Sequence, residues 1–324
     1  MQEHDRNGAG RGGRPAGVLL GGAALAGAVA GGTLLLRRFD AWAVQQITQP
    51  ARRAALGTPA DLALAYEEIR LRSEDDVDLY GWLIPAPGGL AQARATLILG
   101  HGLGDTIDAI LGHVAYLQPA GYNVLLLDFR AHGRSGGAHT SVGYLEHQDV
   151  GAGLRYLAGR GLSTIGIMGW SLGAAVAIVS AGLYPQIAGV IADSGFARLA
   201  SPLARAAAST LGHPPLLARF EGWYGEHLVA RTLGFNAADA RPAAFIGRIS
   251  PRPLLIIHST GDTLVPVANA HALYARAGQP KACWILAAGD HTPGVFAVFP
   301  AEYGRRVLAF WDGVFAGRPG GNGR

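Results

Sequence analysis

The chain has 324 residues, 49% of them apolar, a single cysteine and a formal net charge of +4. One cysteine excludes an internal disulfide, and the length and apolar fraction suit one large α/β domain, which need not split at the usual ~150 residues. The positive balance does not point to nucleic acid, because arginines are scattered, lysine occurs only at Lys281, and no basic run interleaved with aromatics appears.

In chain order, residues 1–16 are rich in Gly and Arg and are expected to form a disordered tail. Gly17 to Leu36 are 20 residues without a charge, bracketed by Arg11 and Arg14 before and Arg37 and Arg38 after. At about 1.5 Å per helical residue this length matches a hydrocarbon core of roughly 30 Å, which predicts a single-pass, N-terminal membrane helix. The rival reading is a cleaved secretion signal with Ala28-Val29-Ala30 as the cutting site, giving a secreted protein. Retention is the expectation, because Thr33-Leu34-Leu35-Leu36 carries the apolar run past that site up to an arginine pair. Residues 37–61 read as a linker, 62–317 as the globular domain and 318–324 as a disordered tail.

Within the domain, strands are expected near Ala63 to Leu71 and Asp78 to Ile84, then around Thr96, Val124, Ile165, Val190, Leu254 and Trp284. Helical segments fall between the later strands. The alternation predicts an α/β fold with a mostly parallel eight-stranded sheet flanked by helices and an antiparallel start. Between 197 and 252 the pattern changes. Ala200 to Leu217 reads as one helix, followed by Phe220, Trp223, Tyr224 and Phe235, so a small helical cap insertion is expected. Its aromatics either line a ligand pocket or form the cap's own core. Cys283, in the last strand, reads as a buried small hydrophobe.

Gly169-Trp170-Ser171-Leu172-Gly173 follows the apolar run Thr164–Met168 and opens a helix-forming stretch from Ala174 to Leu183. A strand feeding a sharp turn and a helix lifts the serine hydroxyl to the top of a sheet, so Ser171 is the candidate nucleophile. The pentapeptide alone is weak evidence: with Gly at 48 of 324 positions, chance supplies roughly 0.2 matches. Gly133-Arg134-Ser135-Gly136-Gly137 also fits, but it lies in a loop after the strand that ends at Asp128.

A serine nucleophile needs a histidine base and a carboxylate to hold the base's tautomer. In this arrangement the acid and then the base follow the serine, each at the end of a later strand. Pro253–Ser259 runs into Gly261-Asp262, and Cys283–Ala288 runs into Gly289-Asp290-His291. Asp262 and His291 are therefore the candidate acid and base, with Asp193 as a rival acid. His258 reads as a core residue, His271 as solvent-facing and Asp290 as a loop-capping carboxylate. The oxyanion donors are expected to be the backbone N–H groups of Leu172 and Leu103, the latter in the loop Gly100-His101-Gly102-Leu103-Gly104. His101 is expected to order that loop. No metal-ligand spacing is visible, so no metal or cofactor is expected.

Together, His101-Gly102-Leu103-Gly104, Asp128-Phe129-Arg130-Ala131-His132-Gly133-Arg134-Ser135, the Ser171 pentapeptide, Gly261-Asp262 and Gly289-Asp290-His291 resemble the α/β-hydrolases over about Leu62 to Phe315. Asp193-Ser194 makes the chain most similar to the Bem46-like and serine-aminopeptidase-like (S33-type) hydrolases. The resemblance implies the α/β-hydrolase fold and a Ser171–His291–Asp262 triad acting through an acyl-serine. It does not imply the substrate; the expectation is a carboxylic ester, lipophilic if the N-terminal helix places the domain near lipid, with peptidase or thioesterase action as the alternative. An intact triad disfavours a non-catalytic scaffold. The implied partners are a small-molecule acyl substrate and, through the N-terminal helix, a membrane. Relatives commonly carry glycine where this chain has Ala131, and a positive φ there would strain alanine.

Overall fold

The computed structural model describes residues 34–287, 289–292 and 294–316. The apolar segment 17–36 lies outside the described residues except for its last three, and among the described residues no helix is long and apolar enough to cross a membrane. The chain divides into two compact units, Met1–Ala43 and Val44–Arg324. Residues 34–48 are helical (α1). In the first unit this helix exposes Leu35, Leu36, Phe39 and Trp42.

The second unit carries eight strands: β1 (Glu67–Arg72), β2 (Asp78–Ile84), β3 (Ala95–Gly100), β4 (Tyr122–Asp128), β5 (Ile165–Trp170), β6 (Ile187–Asp193), β7 (Leu254–Ser259) and β8 (Lys281–Leu286). Their spatial order is β1-β2-β4-β3-β5-β6-β7-β8. The pairs β1–β2 and β2–β4 are antiparallel and the rest are parallel. Every residue of β3 to β7 is buried, as continuous apolar runs dictate for parallel strands covered on both faces. One face packs on α3 (His147–Gly159), α4 (Leu172–Leu183) and α8 (Ala268–Arg276). The other packs on α2 (Leu111–Leu117) and α10 (Pro300–Phe315).

Register brings the strand ends into line: Gly100 pairs with Gly169, Trp170 with Asp193, and Ser259 with Leu286. The loops leaving β3, β5, β6, β7 and β8 therefore meet along one edge, where open α/β sheets bind ligands.

Three boundaries and one burial differ from expectation. β1 begins at Glu67 because residues Pro59–Leu62 make a 3-10 turn that ends on Ala63 at φ 56. The single helix expected over 200–217 is two, α5 (Ala200–Thr210) and α6 (Pro215–Leu233). Gly212 adopts φ 68, and Pro214 and Pro215 cannot continue a preceding helix. A short α7 (Pro242–Phe245) completes the cap. Cys283 is half-buried on edge strand β8 rather than in the core. Finally, the compact unit starts at Val44, inside the expected linker. Thr48 accepts the Thr140 N–H at 2.8 Å on its carbonyl and contacts His139 Nδ1 at 2.9 Å through its hydroxyl. The Arg52 guanidinium donates to the Ser135 carbonyl and, at 2.7 Å, to that of Gly137.

Candidate active site

Ser171 stands between the end of β5 and the start of α4, at φ 54 and ψ −111. This backbone is costly for a residue with a side chain and persists only where surrounding packing enforces it. The flanking glycines permit that packing. A Cβ on Gly169 would lie 2.1 Å from the Gly173 carbonyl oxygen, and one on Gly173 would lie 2.0 Å from that of Gly100. The two glycines of the motif are thus sterically required, and they seat α4 against the end of β3.

The structure brings Ser171, Asp262 and His291 together. His291, half-buried in the loop after β8, places Nε2 2.8 Å from Ser171 Oγ and Nδ1 2.8 Å from Asp262 Oδ2. Asp262, buried after β7, accepts the N–H groups of Leu264 and Val265 on Oδ1 at 2.9 and 2.7 Å. Burial alone would raise its carboxyl pKa, but the contacts with His258 and His291 outweigh this and hold it well below the ordinary range. The Asp262 carboxylate is therefore an anion that fixes the His291 ring.

The rival acid has a different neighbourhood. Asp193, at the end of β6, accepts the Tyr303 hydroxyl at 2.6 Å and the Ser194 hydroxyl at 2.9 Å. Burial dominates there and raises its pKa despite those bonds. Asp290 caps a loop, accepting the Thr263 hydroxyl at 2.7 Å and the His291 N–H at 2.7 Å. The second motif serine, Ser135, is buried; it donates to the Asp128 carbonyl at 2.5 Å and accepts the Tyr80 N–H at 2.8 Å.

Leu172 is the first residue of α4, where backbone N–H groups have no partner within the helix and the dipole favours negative charge. Leu103 and Leu172 line the same cavity as Ser171. His101 is fully buried, accepting the Phe129 N–H at 3.0 Å on Nε2 and bonding the Gly102 carbonyl at 2.8 Å through Nδ1. Burial lowers its pKa to about 3, so the ring is neutral and ties the loop together.

Three contributors carry no sequence signal. His258 lies on β7 with Nε2 2.8 Å from the Val265 carbonyl and 3.4 Å from Asp262 Oδ2. Burial disfavours its charged form, but the bond to Asp262 outweighs this and raises its pKa. Gln46 and Ile47 of α1 line the Ser171 cavity. The cap aromatics stay out of the Ser171 cavity: Phe220, Trp223 and Tyr224 are exposed on α6, where Phe220 and Trp223 line a separate cleft, and Phe235 packs on Tyr144. The cap contribution to the cavity comes from Pro202, Leu203 and Ala206 of α5. Ala131 does adopt a positive φ, of 61.

Among known families, the serine aminopeptidase (S33) profile matches residues 91–233. The uncharacterized protein YqkD of Bacillus subtilis is 33% identical over 204 residues, a match covering 60% of this chain and 64%, just under two thirds, of that protein. The uncharacterized protein YfhR of Escherichia coli O157:H7 is 29% identical over 69% of this chain and 73% of its own. In solved structures, the Pyrococcus furiosus esterase Pf2001 superposes with a TM-score of 0.68 and 31% identity, covering 82% of this chain and 97% of that one. The fold and site define an α/β-hydrolase, and the chain belongs to that superfamily; its likeness to the S33 serine aminopeptidases is confined to residues 91–233.

Proposed function

We propose that this protein is a serine hydrolase that cleaves a lipophilic carboxylic ester through an acyl-Ser171 intermediate. The reading is carried by one observation, the unbroken 2.8 Å relay from Ser171 Oγ through the His291 ring to Asp262. The Ser171 hydroxyl attacks the ester carbonyl carbon while His291 Nε2 takes its proton. The oxyanion that forms is held by the N–H groups of Leu103 and Leu172. On collapse, the bond to the alcohol breaks and His291 returns the proton to the leaving oxygen. A water, deprotonated by His291, then attacks the acyl-serine and releases the acid and the free serine.

The cavity beside Ser171 supports an ester over an aminopeptide. Its lining is apolar apart from Gln46 and Ser171 and carries no carboxylate, whereas the charged α-ammonium of an aminopeptide, once taken out of water, is best matched by an acidic partner. The family description favours peptidase action and supplies the second reading. An active-site-directed fluorophosphonate is expected to label the wild type and not Ser171→Ala; equal labelling of the two would remove the assignment. Comparing kcat/KM for a 4-nitrophenyl ester, a thioester and an aminoacyl anilide of the same acyl group separates the two readings.

A further inference from the structure

The apolar cavity next to Ser171 measures about 230 Å³. A methylene needs about the room of a water, roughly 30 Å³, so the space holds about six to eight carbons in line. The wall is built on purpose from two elements far apart in sequence. Leu203 of α5 and Ile47 of α1 both seat against Gly225 of α6: a Cβ on that glycine would lie 3.0 Å from Leu203 Cδ1 and 3.8 Å from Ile47 Cδ1. Because Gly225 has no side chain, the two residues sit back against α6 and leave the cavity open. Val142 forms part of another wall and is held at φ 56. A β-branched residue at positive φ is a genuine outlier. Its loop is locked by the buried Glu146 carboxylate, which accepts the Ser141 and Gly143 N–H groups at 2.8 and 2.9 Å. That wall of the cavity is therefore held in one position.

Resting on the proposed ester hydrolysis, we infer that this cavity binds the acyl chain of the substrate, a saturated chain of about six to eight carbons, and that Ile47 and Leu203 set that length. The N-terminal helix thereby becomes part of the specificity machinery. Each methylene that fills the cavity contributes about fourfold to kcat/KM, from the transfer free energy of a buried CH₂.

The test is a 4-nitrophenyl ester series from two to fourteen carbons, run on the full chain. Wild-type kcat/KM is expected to climb with each added methylene, peak at six to eight carbons and fall beyond. Ile47→Ala and Leu203→Ala should move the peak to longer chains, and Leu203→Trp should move it to four carbons or fewer. Far-UV circular dichroism checks that each variant folds, and either alanine variant alone suffices to read the shift. A wild-type peak at two carbons, or the same profile in all three variants, overturns the inference while leaving Ser171-dependent hydrolysis standing. If no ester is turned over, or Ser171→Ala is as active as wild type, the proposed function falls and the inference with it.

Discussion

Asp262 and Asp193 close neighbouring strands but face opposite environments. Asp262 is held as an anion by two histidines and two backbone N–H groups, whereas Asp193 is boxed in by the hydroxyls of Tyr303 and Ser194. Asp262→Asn is expected to leave the fold intact and lower kcat on the order of 10⁴-fold, because an amide at that place stabilises the wrong His291 tautomer. Asp193→Asn should keep kcat within roughly tenfold of wild type, since the amide oxygen still accepts the Tyr303 hydroxyl. The reverse ranking in steady-state kinetics would mean that the acid has been misassigned. Ser135→Ala is expected to cost about 1–2 kcal/mol for two lost buried bonds and to leave fluorophosphonate labelling unchanged, which separates the two Gly-x-Ser-x-Gly sites.

At the scale of elements, the loop from Thr140 to Glu146 and the helix α10 carry the largest local stakes. Burial would raise the Glu146 carboxyl, but hydrogen bonds from Ser141 and Thr140 reverse this and hold its pKa below the ordinary 4.5. A folded-state pKa below the unfolded one adds stability that is full above pH ~4.5 and lost as the pH falls through the folded value. Glu146→Gln cannot accept all four bonds, so it should destabilise by about 2 kcal/mol at neutral pH. That deficit should shrink as urea titrations move below pH 4; a deficit constant with pH would show that the charge is not what holds the loop. On α10, the fully buried Trp311 lies over the sheet where Gly166 stands. A Cβ there would come within 2.6 Å of Trp311 Cζ3. Trp311→Ala leaves that shape unfilled, and an unfolding free energy lower by about 3–5 kcal/mol is the expected result; a loss under 1 kcal/mol would mean that the helix is not anchored there.

For the whole molecule, one proposal concerns its location. The uncharged stretch from Gly17 to Leu36 motivates the proposal that the full chain is membrane-anchored. A spanning helix is held by apolar burial that salt does not screen, so the protein is expected to stay with membranes through high-salt and carbonate washes. A mature form starting near Gly31 and free in the medium would establish a cleaved signal instead.

Much of this molecule is legible in one dimension, because its information is local. The eight strands show as β-branched and apolar runs, and the parallel sheet follows from their alternation with helices. Ser171 is singled out by its strand-turn-helix context, and Asp262 and His291 by their places just after later strands. The parallel register of β3 to β8 puts the C-terminal ends of those strands on one edge, so position along such a strand predicts position in space. Tertiary structure alone decided the rest. No residue pattern says that Asp193 would be claimed by Tyr303, 110 positions away, or that His258 would share the Asp262 carboxylate. The docking of Thr48 and Arg52 on the 133–140 loop, and the meeting of Ile47 with Leu203 over Gly225, are equally invisible. Each is a contact between side chains distant in sequence, and its energy depends on shape and burial that exist only once the chain has folded.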